Sequence, residues 1–141
     1  MLLPDVNVLV EAFRPDMPRH GATRQWLQNQ VNADGPFGIS PQALSAVIRI
    51  TTNRKIFPQP SPLDEALLFA DALLAQPVCT VVHPGVAHWG IFADLCRKAD
   101  ARGNLVQDAW FAALAIEHGC EWITFDRDYA RFPGLRWRTP F

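Results

Sequence analysis

Two short apolar runs at opposite ends of the chain each stop on an aspartate, and this pattern narrows the fold more than any other feature. Leu2-Leu3-Pro4 leads into Asp5, and Trp122-Ile123-Thr124-Phe125 leads into Asp126, with Asp128 two residues on. Asp108 stands at the head of a third apolar segment, Ala109 to Ile116, which reads as a helix. An ionised carboxylate directly after a buried strand is costly unless it is paired or binds a cation. In α/β folds the carboxyl ends of strands share one edge with the starts of helices, so acids from distant parts of a chain can converge there. Converging carboxylates repel one another and call for a hard cation, Mg²⁺ or Mn²⁺. Such a centre most often serves phosphate chemistry. Each acid also has a plainer reading. Asp5 suits the N-cap of the helix that follows it, Asp108 suits the favourable end of a helix dipole, and Asp126 suits an Asx turn. The functional case rests on three separate elements each delivering an acid.

The rest of the chain agrees with a small parallel sheet flanked by helices. Residues 2–5, 37–39, 78–82, 121–125 and 135–138 read as strands, with 78–82 β-branched and expected to be buried. Helices are expected over 7–13, 18–30, 41–52, 63–75, 86–101 and 107–118. Ser40-Pro41 and Ser61-Pro62 are start signals, and Gly119 is a stop. Trp89 and Trp110 lie on apolar helix faces and are expected to pack inward. No repeat or linker divides residues 1–141, so one domain is expected.

Composition excludes several classes. No apolar run reaches the roughly 18 residues that span a bilayer, and the first residues lack the pattern of a signal peptide, so the cytoplasm is the expected place. Cys79, Cys96 and Cys120 lack paired metal-ligand spacing and read as free thiols. His83 and His88 straddle Pro84-Gly85 and do not share a helix face, which argues against zinc. The net charge of −1 excludes a globally basic nucleic-acid binder. Lys55 and Lys98 are nevertheless the only lysines among 13 basic residues. Arginine grips phosphate with two prongs, although a GC-rich genome would enrich it too. Two other phosphate enzymes fit less well. A dehalogenase-type phosphatase needs an acid where Asn7 stands, and a receiver domain needs a late lysine that this chain lacks.

The segments Pro4–Val10, Arg102–Ala109, Ala113–Gly119 and Thr124–Trp137 together resemble the PIN-domain ribonucleases of the VapC toxin type. The resemblance implies a PIN-like three-layer α/β sandwich with a small, mostly parallel sheet. It implies a Mg²⁺- or Mn²⁺-dependent endoribonuclease that cuts a structured RNA such as tRNA or rRNA and so halts translation. Asp5, Asp108 and Asp126 would be catalytic metal ligands, with Asp128 completing the cluster. Asn7, which also suits a helix cap, would support them and the substrate, and Arg49, Arg54 and Lys55 would hold flanking phosphates. The implied partners are a small antitoxin, the RNA and a second copy of the chain. The antitoxin would cover the acidic site and the grooves between the early helices, with the apolar faces of 41–52 and 62–75 as contacts. In one respect the chain departs from the family. Ala46 stands three residues before Arg49, where an acid is often found, and the helix at 41–52 has no acid. The alternative reading is therefore a weak or inactive module that binds RNA or antitoxin.

Overall fold

The computed structural model describes residues 1–141 and contains one parallel sheet of five strands in the order β3-β2-β1-β4-β5. The strands are β1 (Leu2–Pro4), β2 (Phe37–Ile39), β3 (Cys79–Val81), β4 (Glu121–Ile123) and β5 (Trp137–Arg138). The helices are α1 (Val6–Phe13), α2 (His20–Val31), α3 (Pro41–Thr51), α4 (Leu63–Leu74), α5 (His88–Lys98) and α6 (Asn104–Glu117), with a 3-10 turn at Arg127–Arg131. Helix α1 packs against both α2 and α3, α3 packs against α4, and α5 packs on α6. The sheet thus lies between two helical layers, as the three-layer reading expects.

Strand β1 is the centre of the sheet. Leu2 pairs with Phe37 on one side, and Leu2, Leu3 and Pro4 pair with Glu121, Trp122 and Ile123 on the other. The connection from β1 leads to β2 on one flank, and the chain returns to β4 on the opposite flank. The boundary between β1 and β4 is therefore the switch point at which open α/β sheets form their crevice. Asp5 and Asp126 follow these two strands.

Local signals explain most element ends. The Ser40 hydroxyl accepts the Ala43 amide at 3.3 Å and caps α3, with Pro41 in its first turn. Helix α6 stops at Gly119, whose φ of 64° permits the Cys120 amide to reach back to the Ala115 carbonyl at 2.8 Å. The alanines Ala109, Ala112, Ala113 and Ala115 are fully buried and let α6 lie close to the core, where Phe111 stacks on Trp122 at 5.4 Å.

Several sequence expectations need correction. Helix α6 begins at Asn104, not at 107, because Gly103 takes a φ of 56° and breaks the chain there. Asp108 therefore sits inside the helix and caps nothing. Strand β3 is at the sheet edge and its Val81 is exposed, so its β-branched residues reflect pleated backbone rather than burial. Trp89 is 67% exposed, because α5 turns its Phe92 and His88 toward Trp110 instead. Leu44 and Val47 of α3 are buried, leaving α4 as the helix with an exposed apolar face, at Leu63, Leu67, Leu68 and Leu74.

Candidate active site

Asp5 is 5% exposed and is held by three donors. Its Oδ1 accepts the Val6 amide at 2.6 Å, which is the expected N-cap of α1. Its Oδ2 accepts the Thr124 hydroxyl at 2.6 Å and the Asn7 side-chain amide at 2.9 Å. Asn7 does not cap a helix. It bridges the two strand ends, donating also to Thr124 Oγ1 at 3.0 Å and accepting the Phe125 amide at 3.2 Å. Thr124 Oγ1 in turn accepts the Asp126 amide at 3.0 Å. One buried hydroxyl thus ties both acids of the switch point to a common frame.

Asp126 accepts the Asp128 amide at 2.8 Å, forming the Asx turn that opens the 3-10 segment. Asp108 reaches the same region from α6 and accepts the Tyr129 hydroxyl at 3.4 Å. Tyr129 is itself buried between Trp122 and Phe132. Burial pushes the Asp5 carboxyl up to about 7, beyond what the Thr124 and Val6 hydrogen bonds offset, and the charges of Asp108 and Asp126 raise it further. Burial also lifts Asp108 to about 6, helped by the charges of Asp126 and Asp128. The Tyr129 hydroxyl is pushed up by burial and by the surrounding carboxylates, so it remains a donor.

Asp5, Asp108 and Asp126 border a cavity of about 670 Å³. Its other wall is apolar and includes Val10, Met17, Ile50, Phe57 and Phe125. Asn7 and Arg49 also line it, and Ala46 faces it from α3. Asp128 stands outside the lining and is exposed, 3.8 Å from Arg131, so it acts on the site through charge. Arg54 and Lys55 are exposed on the turn after α3, next to the lining residues Ile56 and Phe57.

The donor set suits a hard divalent cation. The facing acids are oxygen donors only, and no arginine, lysine or histidine forms an ion pair with Asp5, Asp108 or Asp126. As they stand, no three acids close on a single point as a finished cage. They share a cavity, and the charges of Asp108 and Asp126 raise the proton affinity of Asp5, as unscreened like charges do.

Sequence reasoning missed four residues here. Thr124 and Tyr129 meet the acids through strand register and helix packing. Glu11 and Arg19 also line the cavity, Glu11 being buried on α1 and Arg19 preceding α2. A glutamate within the otherwise apolar Val8–Phe13 run was the one available signal for Glu11.

Comparisons with known proteins identify the family and the fold. The PIN domain family matches residues 2–135. A VapC ribonuclease of Mycobacterium bovis, Mb2897, is 43% identical over 140 residues, covering 99% of this chain and 95% of that protein. Among solved structures, VapBC2 from Rickettsia felis bound to a promoter DNA fragment superposes with a TM-score of 0.72 at 15% identity, covering 98% of this chain and 97% of that one. Mycobacterium tuberculosis VapC20, a Sarcin-Ricin loop cleaving toxin, superposes with a TM-score of 0.70 at 16% identity, covering 96% of this chain and 99% of that one. By its matched length, its identity to these relatives and its sheet order, the chain belongs to the PIN-domain family, among the VapC ribonucleases.

Proposed function

We propose that the protein is a Mg²⁺- or Mn²⁺-dependent endoribonuclease, the toxin of a toxin–antitoxin pair, which cuts structured RNA such as tRNA or rRNA and thereby blocks translation. One observation carries this reading. Three carboxylates, following β1, on α6 and following β4, line one cavity with no protein cation ion-paired to them, and the burial of ionised Asp5 is a cost that a bound cation would offset. Asp5, Asp108 and Asp126 would hold the ion, with Asp128 adding negative charge from outside the lining. When bound, such an ion lowers the pKa of a coordinated water and neutralises charge on the scissile phosphate.

The residues of the chain supply the positioning. Thr124 and Asn7 hold the Asp5 carboxylate, and Tyr129 orients Asp108 through its Oδ1. Arg49 on the cavity rim has no ion pair and is available for a phosphate oxygen, with Arg54 and Lys55 able to follow the flanking backbone. The apolar wall excludes water from one side of the reacting group.

Structural neighbours of the chain include VapBC assemblies, and this supports an antitoxin partner. A groove of about 350 Å³ between α1, α2 and α4, lined by Phe13, Leu27, Phe69 and Leu73, lies beside the exposed leucines of α4. It is a suitable seat for an apolar antitoxin segment. Homodimer formation and a cytoplasmic location belong to the same proposal. No helix is long and apolar enough to cross a membrane.

The test is incubation of purified protein with total tRNA and rRNA, with and without Mn²⁺, beside the Asp5→Asn and Asp126→Asn variants, mapping 5′ ends. Discrete metal-dependent cuts that vanish in both variants are expected. Ala46 favours a second reading, an inactive binding module, because it leaves α3 with no acid on the cavity. RNA binding with neither cleavage nor thermal stabilisation by Mn²⁺ would establish that reading instead.

A further inference from the structure

Glu11 is a buried charge that metal binding does not use. It is 5% exposed on α1, among Val8, Leu9, Val10 and Ala12. A buried carboxylate is retained only when it is well partnered. Its partner is one residue, Arg19. Oε2 accepts the Arg19 backbone amide at 2.9 Å, and Oε1 lies 3.5 Å from Arg19 Nη1. The guanidinium carbon of Arg19 lies 4.5 Å from the centroid of the Phe125 ring. Arg19 is thus held from two sides, yet its side chain is 54% exposed and its guanidinium makes no further hydrogen bond to the protein. Glu11, Arg19 and Phe125 all line the acidic cavity, and Phe125 immediately precedes Asp126.

We propose that Arg19, held on the Phe125 ring by Glu11, is a substrate-positioning residue that receives one nucleotide flanking the scissile phosphate of a single-stranded RNA segment. The free edge of the guanidinium meets the phosphate. The guanidinium and ring planes offer a surface on which the adjoining unpaired base stacks. Three physical points favour this occupant. Aromatic and arginine planes bind unstacked bases regardless of sequence. A fixed arginine loses little freedom on binding phosphate, because Glu11 and Phe125 already hold it. Arg19 and Arg49 are the two arginines on the lining of the cavity that Asp5, Asp108 and Asp126 share. A phosphodiester chain passing these acids needs basic contacts to flank it. This inference rests on the nuclease reading and names how that site would grip its substrate.

The experiment uses the full chain and a fluorescein-labelled single-stranded RNA of about twelve nucleotides, long enough to exceed a typical stacking site. Anisotropy in Ca²⁺ gives affinity and its salt dependence, and parallel cleavage assays in Mn²⁺ give KM and kcat. Arg19→Ala is expected to weaken binding about tenfold and to reduce the salt slope by about 0.7, the value of one phosphate contact on a single strand. KM should rise with a smaller change in kcat. Arg19→Lys should keep the salt slope but bind less tightly than wild type, since it loses the plane. Phe125→Leu should weaken binding several-fold at unchanged slope. Glu11→Gln should fall between wild type and Arg19→Ala.

A purely structural role would lower the urea midpoint of Arg19→Ala while leaving affinity and slope at wild-type values, and that result overturns the proposal. Wild-type protein that cleaves RNA, with variants that bind and cleave as well as it does, removes the platform and leaves the nuclease standing. Arginine-dependent binding without cleavage keeps the platform and removes the nuclease. Absence of binding by the wild type overturns the platform.

Discussion

The hydroxyl of Thr124 donates to Asp5 Oδ2 at 2.6 Å, joining residues 119 positions apart at the switch point of the sheet. The contact exists because β1 and β4 are parallel neighbours with Pro4 opposite Ile123, so the next residue on each strand meets the other. The same oxygen accepts the Asp126 amide and the Asn7 side chain, so its removal affects three partners at once. Thr124→Val keeps the shape and loses the hydroxyl. It should cost about 1–3 kcal/mol of stability through unsatisfied buried groups. Mn²⁺ affinity should fall on the order of tenfold to a hundredfold, as for other residues that orient ligands. Thr124→Ser should stay near wild type. Calorimetric titration with Mn²⁺ checks this, and equal affinity in Thr124→Val would show that the hydroxyl does not organise the site.

The raised carboxyls make metal-free stability depend on pH in an unusual direction. Asp5 moves from 3.8 to about 7 on folding, so the folded chain holds its proton more tightly than the unfolded chain does. The resulting stabilisation is fully present below about pH 4 and is lost as pH rises through about 7. Asp108 acts in the same direction up to about 6. Asp16 and Glu117 are lowered, so their contribution is lost only as pH falls below the normal carboxylate range and does not mask this window. In EDTA the protein should be more stable at pH 5 than at pH 8, the Asp5 contribution being at most about 4 kcal/mol. Asp5→Asn should flatten the profile. Urea melts across this range test it, and stability that rises steadily from pH 5 to pH 8 would contradict the burial of an uncompensated Asp5.

What could be read from the sequence was what local chemistry encodes. Ser40-Pro41 marks a helix start because cap and helix are neighbours in the chain, and Gly119 marks a stop for the same reason. Asp5 and Asp126 were legible because a charge following an apolar run stands out. The start of α6 was misplaced because its break is the left-handed backbone of Gly103, while Asp108 imitates a cap at the wrong turn. Edge and centre strands share β-branched residues, so Val81 gave no sign of its exposure. Glu11 and Arg19 were invisible as a pair because their contact spans the bend between α1 and α2, and no periodicity records it. Whether Asp128 faces the cavity depends on the 3-10 turn after Asp126, whose direction a one-dimensional pattern does not carry.

Ala46 offers a gain-of-binding test. It lies on α3 and lines the cavity shared by Asp5 and Asp108. A glutamate there adds a fourth oxygen donor to a site whose ion would otherwise keep several waters. Helix propensity changes little between Ala and Glu, so α3 should persist. Ala46→Glu is expected to bind Mn²⁺ on the order of tenfold more tightly by calorimetry, as added ligand charge strengthens hard-cation sites. Unchanged or weaker binding would mean that α3 does not present this position to the ion.

Arg14 is expected to control the loop that closes the apolar side of the cavity. Its side chain is 8% exposed and lies against that loop. Nη1 donates to the Ser61 hydroxyl at 3.0 Å and Nη2 to the Gln59 carbonyl at 3.0 Å, while Asp16 takes both Nε and Nη2. The guanidinium carbon also lies 3.8 Å from the centroid of the Phe57 ring. Phe57 and Ile56 line the cavity, and Arg54 and Lys55 precede them on exposed backbone. Lysine cannot reproduce a planar fork that serves four groups at once. Arg14→Lys should therefore cost about 1–3 kcal/mol and loosen residues 53–60 without unfolding the sheet. Trypsin cleavage after Arg54 or Lys55 reports this directly. Cutting there should be faster in Arg14→Lys than in wild type under native conditions, with KM for RNA raised more than kcat is lowered. An unchanged cutting rate at Arg54 and Lys55 would show that the loop is held by its own turns rather than by Arg14.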